Sequence, residues 1–236
     1  MVKIIFFDMD GTLIDLHTGQ MSEKTKECLR RLRQRDTRII MATGRLPNNL
    51  PTFAGVEFDG WLTLNGSYCF DANGLVFGNP LPPVAVARLA ENAEKLGLPI
   101  SFAVEENGAF SRPERPPTSG TVYQAMIQAP EEQCGGILEG TSGVKIASWW
   151  AKAVDIIPED GGKGRGIRQM LAYYGLEKHE ALAFGDGNND VEMLQTVGTG
   201  IAMGNATQRL KAVADGICDD VSRDGVYHYC LQQGLL

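Results

Sequence analysis

Histidine is scarce in this chain: His17, His179 and His228 stand alone and far apart, which leaves a histidine-rich zinc centre little to draw on. The five cysteines, Cys28, Cys69, Cys134, Cys218 and Cys230, are odd in number and contain no C-x-x-C pair. That pattern argues against a disulfide framework and predicts reduced thiols in a cytoplasmic protein. No apolar run reaches the length of a membrane span, and the short run before Asp8 lacks the length of a signal-peptide core. Basic charge is in the minority. With 22 Lys and Arg against 29 Asp and Glu, the net charge of -7 has the wrong sign for a general nucleic-acid or anionic-membrane binder. A complete G-x-G-x-x-G is missing too, because the glycines at 162–166 and 185–187 keep other spacings, and this counts against a dinucleotide site.

What is present is globular. Hydrophobic content of 43% with 22% charged residues predicts a folded core, and 236 residues suffice for one large domain or a core with a smaller insert. The opening stretch, Ile4-Ile5-Phe6-Phe7-Asp8-Met9-Asp10-Gly11-Thr12, reads as a buried strand that ends in two carboxylates and a turn. Helical periodicity over 22–35 follows, then a second apolar strand over 38–42 ending in Thr43-Gly44-Arg45, and a third over 60–64 ending in Asn65-Gly66. Strands alternating with helices predict a parallel sheet of the Rossmann-like α/β class, whose strand carboxyl ends form a ligand-binding rim.

The pattern changes between about 82 and 158. A hairpin around Asn73-Gly74 and a proline-rich link lead into a helix at 84–96, a strand at 100–104, a short helix at 122–128, and strands at 144–150 and 153–157. Trp149 and Trp150 are adjacent, so a strand there would send them to opposite faces. This segment is expected to be an inserted α/β domain, with 1–81 and 159–236 forming the core. Alternation then resumes: a helix opened by Lys163, a strand at 181–184 running into Gly185-Asp186-Gly187-Asn188-Asn189-Asp190, a further helix, a strand at 200–204, a helix at 206–214 and a last strand at 216–218.

Strand ends brought to one rim would gather Asp8, Asp10, Asp186 and Asp190. Two like charges about 4 Å apart repel by roughly 4 kcal/mol at an effective dielectric near 20, so a cation is needed among them. All-oxygen ligands point to Mg2+. Lys163 at a helix N-terminus opposes the helix dipole unless an anion sits there as well. Together with Thr43 and the backbone of Gly44, it suggests a phosphoryl site. Taken singly, Asp8 and Asp10 also read as a loop cap, and Lys163 as a solvated surface lysine.

In its motifs the chain resembles the haloacid dehalogenase superfamily, specifically the Cof-type phosphatases with an inserted type IIB α/β cap. The matching pieces are Asp8-Met9-Asp10-Gly11-Thr12-Leu13, Ala42-Thr43-Gly44-Arg45, Asn65-Gly66, Gly162-Lys163-Gly164, Gly185-Asp186-Gly187-Asn188-Asn189-Asp190 and Ala202-Met203-Gly204-Asn205-Ala206. The resemblance implies a Mg2+-dependent phosphatase acting on small phosphorylated metabolites through an aspartyl-phosphate. It makes Asp8 the nucleophile and Asp10 the general acid and base. Asp8, the Asp10 carbonyl and Asp186 would hold the metal, Thr43, Gly44, Lys163 and Asn189 the phosphoryl group, and Asp190 would support Lys163 or the metal's water shell. The sequence does not fix the oligomeric state, and a monomer and a homodimer are both compatible with it. A dehalogenase has no need of Asp10; a phosphosugar mutase and a non-catalytic phosphate sensor remain the competing readings. Specificity is expected to lie in the insert, where Arg112, Arg115 and Gln124 are candidate contacts, although each also reads as a surface residue.

Overall fold

The computed structural model describes residues 1–150 and 152–236, without the side chains of Trp149 and Trp150, so the expectation about their two faces lies outside the described residues. The chain begins with β1 (Ile4–Asp8), α1 (Glu23–Gln34), β2 (Arg38–Ala42), β3 (Gly60–Thr63), β4 (Tyr68–Asp71) and β5 (Gly74–Gly78). Then come α2 (Pro83–Leu96), β6 (Ile100–Glu106), β7 (Ala109–Ser111), β8 (Thr121–Ile127), β9 (Val144–Trp150) and β10 (Ala153–Pro158). The last third contains α3 (Lys163–Tyr174), β11 (Ala181–Gly185), α4 (Val191–Thr196), β12 (Thr199–Ala202), α5 (Gln208–Lys211), β13 (Gly216–Ile217) and α6 (Gly225–Gln232).

Two sheets result. The larger has the order β13-β12-β11-β1-β2-β3-β4-β5, parallel from β13 to β3 and antiparallel through the β3-β4-β5 meander. Its central strand is β1, whose Ile4, Ile5, Phe6 and Phe7 are fully buried, and Phe7 stacks on Phe184 of β11 with ring centroids 5.4 Å apart. A strand buried on both faces accounts for the unbroken apolar run before Asp8. Because β2 and β11 flank β1 on opposite sides, the chain leaves the β1 end at the point where strand order reverses, and a crevice opens there. The α/β core with an inserted cap is therefore the fold that the alternation predicts.

The second sheet, β7-β6-β8-β10-β9, is antiparallel and carries α2 on one face. Here the expected helix over 122–128 is wrong: these residues form β8, the middle strand, paired with both β6 and β10. Gln124, Ala125 and Met126 are good helix formers, but the nine residues between Gly120 and Pro130 are too few for a stable helix. Two waiting strand edges override that local preference. Phe102, Ala125, Ile127, Val154 and Ile156 pack on the α2 side, so Ser101, Gln124, Met126 and Asp155 share the opposite face. The expected helix over 206–214 contracts to the single turn of α5. Among the described residues no helix is long and apolar enough to cross a membrane.

Candidate active site

The open face of the second sheet looks onto the carboxyl ends of β1, β2 and β11, across a cavity of about 500 Å³. Asp8 ends β1 and is buried; Asp10 lies two residues beyond, half-buried. Gly11 between them and the following turn has φ +91°, and a Cβ there would lie 2.3 Å from Asp186 Oδ2. Only glycine permits this approach. The loop after β11 can therefore press Asp186 against the loop after β1, where the Thr12 hydroxyl donates to Asp186 Oδ1 at 3.0 Å. Oxygen atoms of Asp8, Asp186 and Asp190 all lie within 4.8 Å of one another.

Lys163 stands beneath this cluster, 1% exposed. Its Nζ donates to Asp8 Oδ1 at 2.5 Å and to Asp190 Oδ1 at 2.6 Å. Burial works against the ammonium, but the attraction of Asp190 and Asp8 outweighs it and holds the proton more tightly than usual. The other Asp190 oxygen accepts from the backbone N–H groups of Asp186 at 3.0 Å and Gly187 at 2.9 Å. Both of its oxygens are thus occupied, so Asp190 braces the lysine and the β11 loop.

Charge compensation is incomplete. Burial raises the Asp8 carboxyl well above the usual carboxylate range; Lys163 opposes this, and Asp190 and Asp186 add to it. Burial, reinforced by Asp190, pushes Asp186 up to about 7. A single lysine does not neutralise three carboxylates, two of them buried and the third, Asp186, half-buried. The donor set, carboxylate oxygens without nitrogen or sulfur, suits a hard divalent cation.

The second strand end brings Thr43, buried, whose hydroxyl accepts the N–H of Arg45 at 3.2 Å. Arg45 grips Asp10 with two bonds, Nε at 3.0 Å and Nη2 at 2.6 Å. Gly44 lines the cavity, and its carbonyl accepts from Gln124 Nε2 at 3.5 Å. Asn189 also lines it and donates through Nδ2 to Asn65 Oδ1 at 3.1 Å. The structure therefore gathers Asp8, Asp10, Thr43, Gly44, Lys163, Asp186, Asn189 and Asp190 around one rim.

This rim can bind an anionic, phosphate-like group against a cation and present an unesterified carboxylate to it. A sequence profile described as haloacid dehalogenase-like hydrolase matches residues 5–133 and 118–230. The chain belongs to the haloacid dehalogenase-like hydrolases. The YkrA protein of Bacillus subtilis (strain 168) is 29% identical to it over 257 residues, covering 99% of this chain and 98% of that one. The HMP-PP phosphatase of Escherichia coli O6:H1 is 29% identical over 242 residues, with 90% of this chain and 88% of that protein covered. The solved structure of the subclass IIB sugar phosphatase BT4131 superposes with a TM-score of 0.91 at 27% identity over the whole of both chains. This hydrolase thus shares its core and its type IIB cap with phosphatases of the superfamily.

Other residues of the hydrolase's site escaped sequence reading in their roles. Asn65, 1% exposed, donates from Nδ2 to Asp155 Oδ2 at 2.9 Å and to Gln124 Oε1 at 3.1 Å, joining Asn189 of the core to two cap strands. Leu64 and Asn65 both adopt left-handed φ, +51° and +53°, and the turn completes at Gly66, where a Cβ would meet the Gly162 carbonyl at 2.7 Å. That close approach seats the β3-β4 turn on the start of α3, next to Lys163. Asp155 carries a signal that sequence reading passed over: an acid in the middle of the otherwise apolar run Ala153-Val154-Asp155-Ile156-Ile157. Of the candidate cap contacts, Gln124 is fully buried and bonded across the domains, Arg112 lines the cavity, and Arg115 does not.

Proposed function

We propose that this hydrolase is a Mg2+-dependent phosphatase of small phosphomonoesters that works through an aspartyl-phosphate at Asp8. The observation that carries this reading is Lys163, a fully buried ammonium that bridges Asp8 and Asp190 at the floor of a carboxylate cluster. It would position the Asp8 carboxylate and receive charge from the phosphoryl oxygens. A bond forms between an Asp8 oxygen and phosphorus as the bond to the leaving oxygen breaks, and Asp10 gives that oxygen its proton. Water then attacks phosphorus, Asp10 takes its proton, and the bond to Asp8 breaks, releasing phosphate.

Arg45 bonds once to each Asp10 oxygen and fixes the direction of the carboxyl, and the lone pair left on each oxygen is where the transferred proton would sit. Thr43, the Gly44 backbone and Asn189 would hold the phosphoryl group. Asp8, Asp186 and the Asp10 carbonyl would hold the cation. When bound, it neutralises the carboxylates and the phosphate oxygens. The 500 Å³ cavity falls within the span of small-molecule sites, roughly 300–1,000 Å³, which suits a small phosphorylated metabolite. Five free cysteines, four of them buried, fit a protein of the reducing cytoplasm.

Purified protein incubated with para-nitrophenyl phosphate and a panel of sugar and cofactor phosphates should release inorganic phosphate, and EDTA should stop it. Release from none of them in the presence of Mg2+ overturns the reading. The cation has a second readout. At a hundred times its Kd, Mg2+ should stabilise the fold by about 2.7 kcal/mol and raise Tm by roughly 5–11 °C. Asp186→Asn should lose that response while melting at or slightly above the wild-type Tm in EDTA, because it removes one of the repelling carboxylates. A full Mg2+ response in the variant would remove Asp186 from the cation site.

A further inference from the structure

The wall that the cap supplies to the cavity carries a cation, Arg112. Arg112 follows β7 in a loop that the Phe102 N–H holds to β6 through the Pro113 carbonyl at 2.9 Å. Arg112 lines the catalytic cavity together with Met126 and Asp155. The Nη1 atom is buried and has no hydrogen-bond partner. Burial works against the cation, and the attraction of Asp155 offsets only part of that cost. A buried donor without an acceptor is costly enough that such groups are normally satisfied in native proteins.

Arg112 is not isolated. Arg112 and Met126 line both the catalytic cavity and a second groove of about 890 Å³, whose other walls include Glu94 of α2, Glu114 and Arg115. Ser101, the direct pairing partner of Met126 across β6 and β8, opens into the same groove, and its Oγ is likewise buried without a partner. Two unsatisfied donors, Arg112 Nη1 and Ser101 Oγ, thus belong to residues lining this groove, and Arg112 also lines the cavity that holds Asp8. The other cations of the site are engaged: Lys163 with Asp8 and Asp190, Arg45 with Asp10. Leu16, Leu46 and Met126 supply the apolar part of the cavity lining.

We propose that Arg112, with Ser101 beside it, binds a second anionic group on the leaving-group end of the substrate, so that this enzyme favours phosphomonoesters whose alcohol itself carries a carboxylate or a phosphate. The proposal rests on the phosphatase reading above. An anion there would supply the acceptor that Nη1 lacks and offset the burial of the guanidinium, and a planar fork recognises carboxylate and phosphate oxygens alike. A neutral sugar phosphate would leave both donors unpaired, which is how a polar pocket rejects an analogue that lacks the matching group.

The test is a ratio of kcat/KM values within matched pairs, 6-phosphogluconate against glucose 6-phosphate for a distal carboxylate and fructose 1,6-bisphosphate against fructose 6-phosphate for a distal phosphate. The wild type should prefer the anionic member of at least one pair by about tenfold or more, and the pair that shows it names the anion. Arg112→Gln should bring that ratio to near one, and Arg112→Lys should restore part of it. A wild-type ratio near one in both pairs, with phosphate released, overturns the proposal and leaves the phosphatase reading standing. A preference that survives Arg112→Gln while all four kcat/KM values fall together also overturns it, because Arg112 would then only brace the cap. No turnover of any ester overturns the phosphatase reading and this proposal with it.

Discussion

Asp8→Asn should lower phosphate release by at least about ten-thousandfold while leaving the fold intact. The size follows from the role: a carboxamide cannot form the acyl-phosphate, and loss of a covalent nucleophile removes the whole reaction path rather than one contact. Stability should hold because asparagine is nearly isosteric and takes one negative charge out of a cluster in which Asp8, Asp186 and Asp190 crowd within 4.8 Å. Lys163 keeps its bond to Asp190. Steady-state phosphate release and a thermal melt monitored by circular dichroism measure both halves. Turnover within tenfold of wild type would end the nucleophile assignment.

Lys163→Met should do the reverse to stability. The ammonium is fully buried between two carboxylates, and deleting one member of a buried ion network typically costs about 3–5 kcal/mol because the remaining charges stay behind unpaired. For a chain of this size that corresponds to a fall in Tm of roughly 6–20 °C. Activity should disappear as well, since Asp8 loses the group that holds it. The cause can be isolated with Asp190→Asn: if stranded charge is responsible, the Lys163→Met, Asp190→Asn double variant should be more stable than Lys163→Met alone. A double variant destabilised by the sum of the two single changes would point to lost packing instead.

The two variants separate what a reader of the sequence could see from what required the fold. Asp8, Thr43, Lys163 and Asp186 each stand just after a strand-like run or at a helix start, so their clustering follows from topology: parallel strands deliver their carboxyl ends to one rim. The roles of Asn65, Asp155 and Arg45 were hidden for a different reason. Asn65 matters through bonds to residues 59, 90 and 124 positions away, and no local pattern encodes those. The β8 segment misled for the same reason. Its helix-forming residues obey a preference worth a few tenths of a kcal/mol each, whereas pairing with β6 and β10 decides where they lie.

By itself, then, the sequence determined the α/β class, the insert and the acidic strand ends, because hydrophobic period, turn residues and carboxylates after apolar runs are local properties of the chain. Only the tertiary structure decided that Lys163 is sealed between Asp8 and Asp190, that Arg45 holds Asp10, and that Arg112 lines the cavity over Asp8 while Arg115 does not. Those outcomes depend on burial and on contacts between distant segments. The energy of a charge is set by what surrounds it rather than by its neighbours in sequence.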